Sequence, residues 1–150
     1  AIVNQLAWKT AEFGLDTTDS VLVKTAATFD LSVWELWSPL TTGGTLVVTP
    51  PGTERDPDRL RELIDAHRVS VLHAVPSLVG MLLASNEELP GSLRHVLAIG
   101  EALPAVTAHR LLRQRPETEL HNLYGPTEAA VSITAQRVRA ADGSELLRRP

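Results

Sequence analysis

The sequence predicts an α/β fold, a parallel sheet with helices on both faces. Short β-branched or aliphatic runs alternate with longer segments whose apolar residues recur at helical spacing, and turns rich in Gly, Pro or Asp separate them. Alternation of strands with helices of about 10 to 12 residues favours parallel pairing. The 150 residues have the size of one ordinary domain, which is enough to bury a core.

The first third of the chain shows this alternation. A helix is predicted over residues 2–13 and a strand over 20–25. Ser32 is expected to cap the next helix, with Glu35 three residues on as its capping-box partner. The glycines at 43–44 are expected to end that helix.

The rest of the chain continues the pattern. Asp56 followed by Pro57 predicts a helix start, since Pro is favoured at the first helical position. Strands are predicted over 45–49, 69–74, 93–100, 119–123 and 131–136, and further helices begin at Pro76 and Pro104. Residues 140–144 are expected to form a loop.

Composition argues against several classes of function. The formal net charge of −4 gives no basic surface for nucleic acid. The chain has no cysteine, so disulfides and thiolate metal sites are excluded, and a reducing cytoplasm is the expected location. Residues 1–8 resemble neither a signal peptide nor a membrane span, so no membrane partner is expected. The absence of an initiator Met leads us to expect an internal piece of a longer protein.

Unusual residues lie at or just after the ends of four of the predicted strands. They are Asp30, His73, the Gly-Glu pair at 100–101, and the Asn-Leu-Tyr-Gly run at 122–125. The carboxyl ends of parallel strands meet at one edge of a sheet, and open α/β sheets bind ligands there. These residues are therefore expected to cluster.

Residues 121–129, with the sequence His-Asn-Leu-Tyr-Gly-Pro-Thr-Glu-Ala, form the most informative stretch. Tyr124 offers a flat face to a base, and Gly125 lets the backbone come close to a ligand. Thr127 and Glu128 add a hydroxyl and a carboxylate, and Mg²⁺ prefers such oxygen ligands. The set suits a nucleotide, although a Tyr-Gly-Pro tripeptide taken alone is most often only a turn.

Two motifs resemble those of a known family. Residues 28–35, Thr-Phe-Asp-Leu-Ser-Val-Trp-Glu, look like the F-D-x-S-V-W-E motif of amino-acid-activating adenylation domains of nonribosomal peptide synthetases. Residues 122–128 look like the N-x-Y-G-P-T-E motif of the same family. Both motifs are long and in the right order, with a matching Gly-Glu pair at 100–101 between them. The resemblance is therefore specific, and it covers essentially the whole chain.

The resemblance implies a flavodoxin-like subdomain of an adenylate-forming enzyme, with residues 1–150 as a partial adenylation domain. In that family, ATP and an amino acid form an aminoacyl-AMP and pyrophosphate. The acyl group then passes to a phosphopantetheine thiol on a peptidyl carrier domain, and a condensation domain belongs to the same assembly line. The family's phosphate loop would lie before Ala1 and its catalytic lysine after Pro150, so this chain alone is expected to be inactive.

Motif positions imply a role for each polar residue. Asp30 resembles the carboxylate that pairs with the substrate α-ammonium, or else it is a residue favoured by a helix N-terminus. Tyr124 resembles the residue that stacks on adenine, with a core aromatic as the alternative. Thr127 resembles a phosphate contact and Glu128 a Mg²⁺ ligand, and these two are the predicted catalytic residues. The other predicted nucleotide contacts are Gly100, Glu101, Asn122 and Gly125.

The resemblance also places a pocket for the amino-acid side chain. Trp34 would wall the pocket and His73 would be its main polar group, although a lone histidine on an apolar strand is usually a core residue. The pattern is similar to that of serine-activating pockets except at Ile99 and Ser132, so a small or medium polar amino acid is the expected substrate. The predicted lining residues are Asp30, Leu31, Trp34, His73, Leu97, Ile99, Leu123, Val131 and Ser132.

Two other functions are compatible with parts of the sequence. One is an acyl- or aryl-acid adenylate-forming ligase, whose substrate would gain nothing from a carboxylate at Asp30. The other is a non-catalytic binding or interaction domain.

The remaining histidines and two tryptophans are assigned to structure. His67, His95, His109 and His121 show no metal-ligand spacing with carboxylates, so surface or structural roles are expected. Trp8 and Trp37 lie at helical spacing with aliphatic residues, which is typical of core positions.

Overall fold

Six strands form one sheet in this structure, a computed structural model that describes residues 1–85 and 88–139. The strands are β1 (Ser20–Val23), β2 (Thr45–Val48), β3 (Val71–Ala74), β4 (His95–Ala98), β5 (Glu119–Tyr124) and β6 (Thr134–Val138). Their order across the sheet is β2-β1-β3-β4-β5-β6. The first five pair in parallel, and β6 joins β5 antiparallel. The predicted α/β sheet is confirmed, with the flavodoxin-like order over its first five strands. The loop expected over 140–144 lies outside the described residues.

Helices cover both faces of the sheet. They are α1 (Ile2–Glu12), α2 (Leu31–Thr42), α3 (Pro57–Ala66), α4 (Pro76–Ala84) and α5 (Ala105–Gln114). Helices α1 and α2 pack together over one face, and α3, α4 and α5 pack in a row over the other. Strand β3 shows why both faces are apolar, because Val71 faces the α1–α2 side and Leu72 faces the α3–α5 side.

Helix ends follow the local sequence. The Asp56 carboxylate accepts a hydrogen bond from the backbone nitrogen of Arg59 at 3.2 Å, so it caps α3 ahead of Pro57. Gly43 closes α2 with a φ of 76°, in the left-handed region that favours glycine. Within the described ranges, every helix is too short or too polar to cross a lipid bilayer.

The predicted capping box at the start of α2 is wrong. The helix begins at Leu31, and the Ser32 hydroxyl donates to the backbone oxygen of Phe29 at 2.6 Å. Glu35 is fully buried, and its carboxylate instead accepts hydrogen bonds from Lys24 and Thr25 just after β1. A buried carboxylate needs several donors, and two backbone N–H groups and two side chains supply them here.

The last strand begins later than predicted. Ala130 and Val131 have φ angles of 60° and 79°, which no extended strand can adopt. The chain therefore turns at these residues, and β6 starts only at Thr134. The turn carries Val131 and Ser132 into buried positions beside α1.

Two tryptophans predicted to be core residues are partly exposed. Trp8 is 37% exposed and Trp37 is 50% exposed. Trp37 lines an apolar groove between α1 and α2, together with Leu6 and Val33. Only Trp34 of the three is fully buried, because it projects from α2 toward the sheet.

Glu35 is expected to contribute far more to stability than Ser32. Replacing Glu35 with Ala should lower the free energy of unfolding by about 3–5 kcal/mol, because it leaves the buried Lys24 ammonium unpaired. Ser32→Ala should lower it by about 1 kcal/mol, the usual value of one hydrogen bond. Urea unfolding followed by tryptophan fluorescence measures both. Similar losses in the two variants would contradict this assignment and favour a capping box.

Candidate active site

The two motifs meet at the carboxyl edge of the sheet. Asp30 lies at the start of α2, after β1, and Thr127 lies in a 3₁₀ turn (Thr127–Ala129) after β5. The Thr127 hydroxyl donates to Oδ2 of Asp30 at 2.8 Å, although 97 residues separate them in the chain. Residues predicted from two distant stretches therefore form one surface.

Residues predicted to bind the nucleotide lie at the ends of β4 and β5. Tyr124 is the last residue of β5 and is 49% exposed, so its ring is open to a ligand and is not a core aromatic. Asn122 lies on the same strand and pairs with Ala98 of β4. Gly100 follows β4 with a φ of 88°, a conformation that a side chain would strain.

Gly125 is required by close backbone approach. A Cβ atom here would lie 2.9 Å from the backbone nitrogen of Ile133 and closer still to the Cα of Ser132. The turn is fixed at the same point because the backbone nitrogen of Ile133 donates to the Tyr124 oxygen at 2.8 Å. The absence of a side chain therefore allows the Tyr-Gly-Pro segment to fold against the segment before β6.

Glu101 and Glu128, the two carboxylates among the residues predicted to bind the nucleotide or its metal, have different surroundings. Glu101 accepts hydrogen bonds from the backbone nitrogen and the hydroxyl of Ser77, both at 2.9 Å, so it caps the N-terminus of α4. Glu128 lies in the 3₁₀ turn beside Thr127, and its side chain is exposed. The nucleotide role of Glu101 and the metal role of Glu128 stay predictions.

The predicted amino-acid pocket corresponds to one apolar cluster on the α1–α2 face. Trp34 is at its centre and Leu31 packs against its edge. The other predicted lining residues in the cluster are Leu97, Ile99, Leu123 and Val131. His73 of β3 is fully buried, with its ring centroid 4.8 Å from that of Trp34. The structure therefore brings these residues together around Trp34 and His73.

Burial determines the charge of His73. Desolvation lowers the pKa of its imidazole well below the usual 6.5, and the positive charges of Lys9 and Lys24 lower it further. His73 is consequently neutral at pH 7, with one donor and one acceptor nitrogen. Both nitrogens lack a hydrogen-bond partner among the described residues.

Two residues of α1 were missed by the sequence analysis. Gln5 is buried, and its side-chain nitrogen donates to the backbone oxygen and the hydroxyl of Ser132, both at 3.1 Å. Lys9 is also buried, with its ammonium 5.1 Å from the centroid of the Trp34 ring. Burial lowers the pKa of Lys9 to about 7, while the negative charge of Asp30 opposes this shift. The helical spacing could have indicated that Lys9 is buried, since it shares a helical face with Leu6 and residues 2 and 13.

A second cluster at the amino ends of β4 and β5 corrects another prediction. His95, Glu119 and His121 offer ligand atoms within 4.8 Å of one another, so two of the histidines do lie near a carboxylate. Parallel register places His95 beside Glu119, a pairing that spacing in the sequence does not reveal. Arg137 already pairs with the Glu119 carboxylate at 2.7 Å, which favours an ion-pair network over a cation site. Burial lowers the pKa of both histidines.

Comparison with known proteins identifies the family. A family model described as AMP-binding enzyme matches residues 1–147. The chain belongs to this AMP-binding enzyme family. Its sequence is 43% identical over 141 residues to vanchrobactin synthetase VabF of Vibrio anguillarum, covering 89% of this chain and 5% of that protein. It is 39% identical over 150 residues to phosphinothricin tripeptide synthetase PhsB of Streptomyces viridochromogenes, covering 99% of this chain and 13% of that protein.

Solved structures agree with this AMP-binding assignment. The Vibrio cholerae adenylation domain AlmE in complex with glycyl-adenosine-5'-phosphate matches with a TM-score of 0.83 and 29% identity, over 95% of this chain and 27% of that one. A four-domain nonribosomal peptide synthetase bound to AMP and glycine matches with a TM-score of 0.86 and 34% identity, over 93% of this chain and 10% of that one. The resemblance to adenylation domains of nonribosomal peptide synthetases is confirmed, and the chain spans only a small part of each relative.

Gly125 is expected to tolerate no side chain. Gly125→Ala should lower the free energy of unfolding by about 1–3 kcal/mol, because the new methyl group collides with the backbone of Ser132 and Ile133. Gly80→Ala, in the middle of α4 with its nearest neighbour atom at 3.8 Å, is the matched control and should be neutral or stabilising. Urea unfolding compares the two, and equal stability would contradict the close approach at Gly125.

Lys9 is expected to make stability depend on pH. Its pKa is about 7 in the folded chain and 10.5 in an unfolded one, so only the unfolded state holds the proton between these values. The free energy of unfolding should therefore rise with pH in this window, by up to about 1.4 kcal/mol per pH unit from this group. Subtracting the curve of Lys9→Met isolates the effect. A flat difference between pH 7 and 10 would show that Lys9 is not buried.

Proposed function

We propose that the chain is the substrate-recognising part of an ATP-dependent ligase that activates an amino acid as its adenylate. The hydrogen bond between Thr127 and Asp30 carries this proposal, since it joins the predicted nucleotide and amino-acid halves into one site. The comparisons with known proteins support this proposal, because the chain resembles adenylation domains over nearly its whole length.

Asp30 is suited to bind the substrate α-ammonium. It is half-buried beside fully buried Trp34, so a charged partner in this position is worth more than on an open surface. Its Oδ2 accepts from Thr127, which fixes the carboxylate and leaves Oδ1 for a second donor. Acyl and aryl acids have no α-ammonium, and the Asp30 carboxylate therefore favours amino acids as substrates.

The residues at the strand ends fit ATP as the second substrate. The exposed ring of Tyr124 provides a stacking face for adenine, and Gly100 and Gly125 keep the backbone on either side free of side chains. The exposed Thr127–Ala129 turn offers the Thr127 hydroxyl to a phosphate oxygen. Glu128 is the residue of this chain that would hold Mg²⁺, which neutralises phosphate charge when it is bound.

The chemistry needed from these residues is mainly positioning. A carboxylate oxygen of the amino acid attacks the α-phosphorus of ATP. An O–P bond forms between the carboxylate and the α-phosphorus, and the bond between the α-phosphorus and the leaving pyrophosphate breaks. Asp30 would hold the α-ammonium while Tyr124 holds the base, so the two reacting groups approach along the same sheet edge. Thr127 contacts Asp30 and would contact the phosphate, which couples the two positions.

The substrate proposed from the pocket is a small or medium polar amino acid, with serine the first to test. His73 and Ser132 are the buried polar side chains among the predicted lining residues, Asp30 is half-buried, and the remaining ones are hydrophobic. By analogy with the synthetases it resembles, the activated acyl group would pass to phosphopantetheine on a carrier domain beside a condensation domain of the same protein.

Replacing Asp30 tests the α-ammonium assignment. In the complete protein, Asp30→Ala should lower amino-acid-dependent pyrophosphate exchange by about 100-fold or more in kcat/KM, because it removes the counter-ion of a desolvated charge. The KM for ATP should change little. Exchange assays with labelled pyrophosphate and saturating ATP measure the effect.

Two variants make this test specific. Asp58→Ala removes an exposed carboxylate on α3 and should leave exchange unchanged. Thr127→Val should weaken exchange while Thr127→Ser preserves it, since only the latter keeps the hydroxyl. Unchanged exchange in Asp30→Ala would refute the assignment.

A further inference from the structure

One buried side chain beside the predicted pocket is charged and is not among the predicted lining residues. Lys9 projects from α1 on the face that also carries Leu6 and Phe13, toward the sheet. Its exposed fraction is 0%, although lysine is almost never fully buried unless it is paired. Its ammonium has no hydrogen-bond partner among the described residues.

Lys9 lies against the centre of the amino-acid half of the site. Its ammonium is 5.1 Å from the ring centroid of Trp34, and that ring is 4.8 Å from the His73 ring. Asp30 acts on Lys9 through its charge, and Lys9 acts on His73 in the same way. Lys9 of α1 and His73 of β3 thus both lie beside Trp34 of α2.

The unmet hydrogen bonds around this point are mostly donors. The Lys9 ammonium, the Trp34 indole nitrogen and both His73 nitrogens are buried without partners among the described residues. Ammonium and indole groups can only donate, and a neutral imidazole has one donor and one acceptor. Buried donors without acceptors are unfavourable, so a ligand that brings acceptor oxygens would satisfy these groups.

The charges around Lys9 further limit which chemical group could be its partner. If Asp30 binds the α-ammonium, as in the proposed function on which this step rests, the Lys9 ammonium loses its nearest carboxylate. Lys24 is already paired with Glu35 at 3.0 Å, so Glu35 does not replace it. A hydroxyl or amide side chain would supply an oxygen but no charge. A carboxylate would supply both.

We propose that Lys9, together with His73 and Trp34, recognises a carboxylate on the side chain of the amino-acid substrate. The protein then activates a short acidic amino acid of the aspartate type. Shortness is inferred from packing, because Leu97 and Ile99 are buried in the same cluster as Trp34. A lysine side chain has four rotatable bonds, so its ammonium can follow the ligand while α1 stays in place.

A structural role for Lys9 is the competing explanation. A buried ammonium over an indole ring is stabilised by the cation–π interaction alone. In that case Lys9 would influence folding but would not distinguish one amino acid from another. The comparison of an acidic amino acid with its neutral isostere separates the two explanations.

The test is pyrophosphate exchange by the complete protein with L-aspartate, L-asparagine and L-serine. Wild type should prefer aspartate to asparagine by about tenfold or more in kcat/KM. Lys9→Met should reduce exchange with aspartate by about 100-fold, mainly through KM, since a desolvated ion pair is lost. The loss with asparagine should be at least about tenfold smaller. Lys9→Arg should retain part of the preference for aspartate.

The pH dependence of the KM for aspartate also separates the two explanations, because a purely structural lysine would not affect it. The charged or titratable groups facing Lys9 are Asp30 from the start of α2 and His73 from β3, with the Lys24–Glu35 pair beyond them. Lys9 loses its proton above pH 7, so the KM for aspartate should rise by up to about tenfold for each further pH unit. Lys9→Met should remove this rise.

Each result decides one of the two proposals. Preference for asparagine or serine over aspartate, or an equal loss with every amino acid in Lys9→Met, overturns the role of Lys9 while leaving amino-acid activation intact. Absence of exchange with any amino acid refutes the proposed function itself. Lys9→Met should fold, because an apolar side chain replaces an unpaired buried charge. Asn4→Ala, on the exposed side of α1, is the control and should match wild type throughout.

Discussion

Parallel pairing of β1, β3, β4 and β5 is the constraint on which the site depends. Parallel strands end at the same edge, so the segments after these four strands meet without any long excursion of the chain. The register adds a second condition. His73 pairs with Leu97 and both face α1 and α2, because side chains alternate along each strand. The same pairing therefore brings together the predicted pocket residues and the predicted nucleotide-binding residues.

The sheet edge alone does not position Asp30, because a loop separates it from β1. Glu35 closes that gap. Its carboxylate binds the backbone nitrogens of Lys24 and Thr25 at 3.0 and 2.9 Å, which ties the second turn of α2 to the segment leaving β1. With both ends of the loop fixed, the start of α2 can meet the turn after β5 through Asp30 and Thr127. The buried Glu35 carboxylate thus supports the position of the half-buried Asp30.

Local patterns predicted the order and type of the elements because strand and helix periods, glycine stops and proline starts are properties of neighbouring residues. The carboxyl-edge grouping followed from topology. What failed depended on contacts between distant residues. Glu35 had the spacing of a capping box, but its carboxylate accepts hydrogen bonds from the residues after β1. The turn at Ala130 and Val131 depends on the close approach of Gly125 to Ser132 and Ile133. His95 and Glu119 met only through strand register.

Exposure of Trp37 has the same origin. An apolar residue on a helix indicates an apolar face, but the sequence does not say whether that face meets the sheet or the surface of α1 and α2. The position of Lys9 was visible in the helical pattern, yet a charged residue in an amphipathic helix is ordinarily read as solvated. Only the three-dimensional packing shows that it points inward.

Glu35 and Lys9 are two buried ionisable side chains with different surroundings. Both project from helices on the same face of the sheet. Glu35 accepts four hydrogen bonds, one of them from the Lys24 ammonium, and such pairing is how a fold stabilises a buried charge. Among the residues that the structure describes, the Lys9 ammonium has no hydrogen-bond partner, although it lies 5.1 Å from the centroid of the Trp34 ring. The cation–π contact with Trp34 gives this ammonium some stabilisation within the fold, and recognition of a substrate carboxylate is the further role that we propose for it.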